Sequence, residues 1–345
     1  MPKSIKVAVI TQADGAHLAD YFAALASIDE AEAVALADPS GKSADVARRA
    51  LGDKLKEVFK DPADLLKRFE PKMAVVSLEA AKAPPVIGAA LDAGCHVFAE
   101  KPSCTRAADF EKLVRQAQQK HLHLMLALAN RSHAPVREAR RLVKAGKLGK
   151  VYGVQVHLVT DQTRLKSEEY RKSWFCVKAR AGGGQLIWVG IHWLDLALHV
   201  TGLKVKQVAG FAGVDGGQPI DVEDSAALSL RFDNDSFGTM TSGYYLDKGY
   251  QSYLQVWGEH GWLRLASIED LPLEWYSSKD TKAPKIQRFE YAKGQRSYTP
   301  FVRAAVRASA GLEDPPITGE EGLHVLQTIF AFYKAAETGR TQSVQ

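Results

Sequence analysis

The spacing of apolar and polar positions changes once along this chain, near residue 130. Before that point, short apolar runs alternate with segments whose apolar residues recur every three or four positions. The runs 5–10, 32–37, 72–77, 96–100 and 123–128, with a weaker one near 56–59, predict strands. Leu18, Phe22 and Leu25, and later Phe110, Leu113 and Ala117, mark helices between them. Asp61-Pro62 supplies a cap with proline at the first helical position, and Gly94 stands where a helix C-cap belongs. This alternation predicts a doubly wound α/β unit with a mainly parallel sheet.

Past Arg131 the rhythm lengthens. A helix over about 134–145 leads to β-like runs at 151–159, 205–213, 225–232, 237–244, 253–258 and 262–266. Asp233-Asn234-Asp235 and Glu259-His260-Gly261 supply short turns between neighbours, which predicts a large, mostly antiparallel open sheet. The organisation expected is therefore a Rossmann-type domain over 1–129 and an α+β domain over 130–345. A closing helix at about 319–337 carries Leu323, Leu326, Ile329 or Phe330 and Tyr333 at core spacing, and is expected to pack back near the domain junction.

Composition narrows the class without deciding it. With 345 residues, 46% hydrophobic and 25% charged, the chain can bury two ordinary cores, which excludes disordered and fibrous classes. Its net charge of +5 is spread among acids rather than gathered in a run, so no nucleic-acid partner is expected. No stretch approaches the ~18–20 consecutive apolar residues of a membrane span, and no signal-peptide core follows Met1. Cys95, Cys104 and Cys176 show no metal-binding spacing, so no metal is expected and a cytoplasmic location is.

Candidate chemistry gathers at strand ends. The apolar run from His96 ends in Glu100-Lys101-Pro102, which would deliver a lysine at the carboxyl edge of the sheet. After the first strand, Thr11-Gln12-Ala13-Asp14-Gly15 occupies the position of a dinucleotide phosphate turn, with Thr11 and Ala13 in place of expected glycines. Asp38, just past the second strand, either accepts ribose hydroxyls and favours NAD over NADP, or simply caps its own turn. Farther on, Trp188, His192, Asp195 and His199 recur at helical spacing, as a core stripe or a site face. The indole of Trp188 would suit a sugar ring. Tyr244 and Tyr245 alternate across a strand, so at most one faces a pocket.

Together these stretches resemble the glucose–fructose oxidoreductase / inositol dehydrogenase / MocA (Gfo/Idh/MocA) family. The resemblance rests on Ala89–Val97 running into Glu100-Lys101-Pro102, Asn130-Arg131 followed by Val143, Gly146 and Gly149, Gly182-Gly183-Gly184 with Gly190, His192 and Asp195, and the closing segment from Gly319 to Arg340. Departures are Thr11 and Ala13 in the phosphate turn, Ala80 and Pro84 before the Glu-Lys-Pro strand, and Trp188 where an aspartate is usual. The resemblance implies an NAD-dependent oxidoreductase acting on a sugar, polyol or sugar-derived alcohol, assembled as a homodimer or homotetramer through its second sheet. It implies Lys101 and His192 in proton transfer, Thr11 to Gly15, Asp38, Glu100 and Lys101 at the cofactor, and Arg131, Trp174, Trp188, His192 and Tyr244 at the substrate. Two other readings share these residues: elimination or epimerisation with a recycled NAD, and a ligand-sensing module without catalysis.

Overall fold

The structure, a computed structural model, describes residues 4–267, 272–279, 284–291 and 298–344. It divides into two compact units, one of Met1–Ala129, Ala179–Gly182 and Ser297–Leu323, the other of Asn130–Lys178, Gly183–Arg296 and His324–Gln345. Residues 179–182 and 298–323 thus group with the first unit.

In the first unit β1 (Ile5–Thr11), β2 (Ala31–Ala37), β3 (Leu55–Phe59), β4 (Met73–Ser77), β5 (His96–Ala99) and β6 (Leu124–Leu126) form one sheet in the order β3-β2-β1-β4-β5-β6. All its pairs are parallel. Every residue of β4 and β5 is buried, because helices cover both faces; that is why they read as unbroken apolar runs. The helix Leu18–Ser27 buries Tyr21, Phe22, Ala24 and Leu25, and the Asp61 carboxylate accepts from Ala63 N at 2.9 Å as the cap of Pro62–Phe69. Strand order reverses between β1 and β4, so their carboxyl ends splay into the crevice that such sheets use for ligands.

The second unit holds β7 (Val151–Asp161), β8 (Val205–Gly213), β9 (Ser225–Phe232), β10 (Phe237–Leu246), β11 (Tyr250–Gly258), β12 (Gly261–Ala266), β13 (Leu273–Ser277), β14 (Gln287–Arg288) and β15 (Gln342–Ser343). Their order is β14-β13-β12-β11-β7-β10-β9-β8-β15. β7 lies between β10 and β11 and runs parallel to β10, the exception in an otherwise antiparallel sheet. One face is apolar: Ala226, Leu228, Leu230 and Phe232 of β9 point into the core while Ala227, Ser229 and Arg231 point out. On the outer face Trp257 and Phe237 flank Gly153 in register, and Phe237 is 65% exposed.

Candidate active site

The carboxyl end of β5 places the Glu-Lys-Pro sequence. Glu100 N donates to Val76 O at 2.8 Å, extending the ladder one residue beyond the strand. The next side chain is Lys101, 5% exposed, its Nζ 3.9 Å from Glu100 Oε1. Glu100 Oε2 takes the Tyr21 hydroxyl and lies 3.1 Å from His17 Nδ1. Burial alone would raise this carboxyl, but the His17 imidazole, the Lys101 ammonium and the Tyr21 hydroxyl outweigh it and hold it below its usual range. Burial, and then the Glu100 charge, push the Tyr21 hydroxyl well above its ordinary value, so it remains a proton donor. Glu100 Oε2 is thus held by protein side chains.

At the end of β1, Thr11 is fully buried, and its hydroxyl donates to Ser77 O of β4 at 2.9 Å. The side chain that replaces a glycine thus turns inward and leaves the outside of the turn clear. Gly15 closes the turn, with its N donating to Gln12 O at 3.1 Å. A Cβ on Gly15 would overlap the Thr11 hydroxyl and crowd Ser77 O, so this glycine is required for close approach. Gln12 Nε2 donates to Asp14 Oδ1 at 2.7 Å, and Ala13 and Asp14 are exposed. Beside them Glu79 receives a two-pronged contact from Arg180, at 2.9 and 2.6 Å.

Asp38, buried past the end of β2, accepts from Ser40 N at 3.0 Å, Ser40 Oγ at 2.7 Å and Ser43 N at 2.9 Å. Burial would raise its carboxyl, yet the Ser40 and Ser43 hydrogen bonds prevail and lower it. It caps its turn, and it is also a fixed negative charge at the edge where a ribose would lie. The crevice, the crowded glycine turn and the ionised acid fit a dinucleotide with an unphosphorylated ribose.

In the second unit the glycine run has a packing cause. A Cβ on Gly184 would overlap the Glu223 carbonyl, and one on Gly183 the Tyr333 ring. The half-buried Glu223 carboxylate accepts from Gly184 N at 2.6 Å, Leu186 N at 3.0 Å and the Tyr333 hydroxyl at 2.8 Å. Next comes a π-helical turn, Leu186–Gly190, and then the helix Ile191–Thr201. That wide turn breaks the simple helical spacing that would set Trp188 above His192. Trp188 is 6% exposed and sits edge-on to Trp174 and Phe175, with ring centres 5.0 and 4.8 Å away. Its indole is a wall of an aromatic cluster rather than an open platform for a sugar.

Arg131 differs from the expectation of a substrate ligand. It is 5% exposed, with Nε 3.0 and 2.9 Å from the two Asp195 oxygens and a terminal nitrogen 2.6 Å from Oδ1. Asp195 thus holds Arg131. His192 is buried on the same helix, and Tyr244 is buried with Leu165, Cys176 and Val222 while Tyr245 points outward, as strand alternation requires. His199 is pushed down to about 2 by burial, then by Arg131, Arg140 and Lys144, so it stays neutral. His123 stacks on His96 at 4.7 Å and donates its backbone N–H to His96 Nδ1 at 3.0 Å.

His17, Tyr21, Glu79, Arg180 and Glu223 were not singled out from sequence; each acts through a partner distant in the chain. Among the described residues no group of three or more His, Cys, Asp or Glu could hold a metal ion, and no helix is long and apolar enough to cross a membrane.

Residues 5–128 match the model of an oxidoreductase family with an NAD-binding Rossmann fold, and residues 136–264 match the GFO/IDH/MocA C-terminal domain. The chain is 21% identical to a myo-inositol 2-dehydrogenase of Thermotoga maritima over 93% of both chains. It is 26% identical to a D-glucoside 3-dehydrogenase of Escherichia coli over 72% of this chain and 73% of that one. In fold it is similar to the WlbA dehydrogenase of Bordetella pertussis, solved with NADH and UDP-GlcNAcA, with a TM-score of 0.81, 20% identity and 99% of each chain covered.

Proposed function

The chain belongs to the GFO/IDH/MocA family of NAD-binding oxidoreductases, and from that premise we propose that it oxidises or reduces a carbinol of a sugar, polyol or sugar-derived alcohol. NAD, when bound, supplies the hydride acceptor or donor. The chain's own residues must manage the proton and hold the substrate. A carbinol gives up hydride only as its hydroxyl proton leaves, so a base must be within hydrogen-bond reach and a cation must steady the developing alkoxide. Lys101 is the cation in this reading and His192 the base, since histidine is the side chain whose ordinary range lies nearest neutrality.

The observation that supports this most is the Lys101 ammonium, 5% exposed and fixed at the sheet edge beside an ionised Glu100. Relatives named for inositol and for glucosides favour a polyhydroxylated substrate. Asp38 repels a 2′-phosphate, which favours NAD over NADP. The outer face of the second sheet, bearing Trp257 and Phe237, is the surface proposed for a homodimer or homotetramer.

Quenching of tryptophan fluorescence by NADH, NAD and NADPH, followed by turnover on a panel of sugars and polyols, tests the reading. NADH should bind at least about tenfold more tightly than NADPH, the preference relaxing in Asp38→Ala. Lys101→Met and His192→Asn should each lower kcat by roughly 10²–10⁴-fold with NADH affinity retained. A folded protein that binds none of the three nucleotides overturns the proposal.

A further inference from the structure

His17 occupies a backbone position that disfavours it. With φ 58 and ψ 19 it is in the left-handed region, where glycine or asparagine sits with least strain. What the histidine gains there is contact. Its Nδ1 lies 3.1 Å from Glu100 Oε2, and its ring rests on Tyr298 with centres 4.8 Å apart. His17 is 31% exposed and Glu100 only 2%, so the pair joins solvent to a buried charge. The other carboxylate oxygen, Glu100 Oε1, has no hydrogen-bond partner among the described residues and faces Lys101 Nζ at 3.9 Å. Glu100 thus stands between an imidazole open to water and the Lys101 ammonium of the proposed active site.

Among the described residues, Tyr21 and Tyr298 also face this pair, with Asp20 acting on Tyr21 from the same helix. The Tyr21 hydroxyl keeps its proton, which leaves His17 as the group at Glu100 Oε2 that can be neutral or cationic. We propose that His17 is a positioning residue that sets the proton affinity of Lys101 through Glu100. A neutral imidazole leaves the carboxylate its full charge, which holds the lysine proton. A protonated imidazole offsets that charge and loosens the proton. The catalytic importance of this coupling rests on the role proposed for Lys101; the coupling itself does not.

Coupling between two protonation sites is reciprocal, so it can be read at His17 without turnover. The experiment is a histidine-ring NMR titration of the full chain without cofactor, the His17 signal being assigned by its loss in His17→Asn. Asparagine tolerates the left-handed backbone, which protects the fold. In Lys101→Met the His17 midpoint should rise by about 0.5–1 in pH, because a nearby cation has been removed. In Glu100→Gln it should fall, because the attracting charge has gone. If Glu100→Gln does not fold, Lys101→Met alone decides. An unchanged midpoint in Lys101→Met overturns the proposal. On an active enzyme, His17→Asn should also shift the pH profile of kcat/KM; if Lys101→Met keeps full turnover while the NMR shift is present, the catalytic reading fails and the coupling stands.

Discussion

At the scale of single residues, the Arg131–Asp195 pair separates a residue that looks functional from what it does. An arginine just past the first sheet suggests an anion or sugar ligand. Buried at 5% and 0% exposure, the two side chains have compensated each other instead. Removing one partner leaves an uncompensated buried charge, which is worse than removing both. Asp195→Ala should cost about 3–5 kcal/mol of stability, and adding Arg131→Met should recover much of that loss. Urea unfolding of the two single variants and the double variant measures it; equal losses for Asp195→Ala and the double variant would contradict this account. Gly183 and Gly184 teach a related lesson. The sequence displays them as a motif, and packing against Glu223 and Tyr333 explains them without any ligand.

Among the elements, the parallel strands were legible because burial on both faces writes a continuous apolar run, and the hairpins because turn residues punctuate them. β13, β14 and β15 were missed, the last two being only two residues each. The insertion of β7 between β10 and β11 was also illegible, since strand order depends on pairing between distant segments. The π-helical turn at Leu186–Gly190 defeated the spacing argument for Trp188, because a helical wheel assumes one uninterrupted period. The sequence reading placed an oligomer contact on the second sheet, and Trp257 and Phe237 are exposed on its outer face. If a second copy supplies that cover, sedimentation should show an oligomer, and Trp257→Glu with Phe237→Glu should give a folded monomer. A wild-type protein that sediments as a monomer would sink the assembly.

Across the whole molecule, each unit carries a histidine that the fold keeps neutral, the buried His96 in the first and the half-buried His199 in the second. Burial, with His123 and Lys72 adding to it, brings His96 down to about 4 in the first unit, and His199 falls to about 2 in the second. In the unfolded chain both return to ~6.5, so below that pH the unfolded state binds more protons. The stability that these rings supply is complete above ~6.5 and is lost as pH falls, down to about 4 for His96 and lower still for His199. Between pH 7 and pH 5 each histidine should cost its unit about 2 kcal/mol. Urea midpoints should therefore fall over that range. His96→Gln, which keeps an acceptor for His123 N–H, should flatten the fall in the first unit. Midpoints that do not move between pH 7 and pH 5 would contradict the assignment.

The sequence by itself determined the kinds of element, their succession and the strand end that carries Lys101, because periodicity, caps and turn residues are properties of neighbours along the chain. Only the tertiary structure decided which side chains meet. Tyr21 and Glu100 are 79 residues apart, Arg131 and Asp195 64, Glu223 and Tyr333 110. A local pattern records that a carboxylate exists but not what neutralises it. Whether Glu100 faces a cofactor or a histidine, and whether Arg131 is a ligand or half of a buried ion pair, depends on which surfaces the packed sheets bring together.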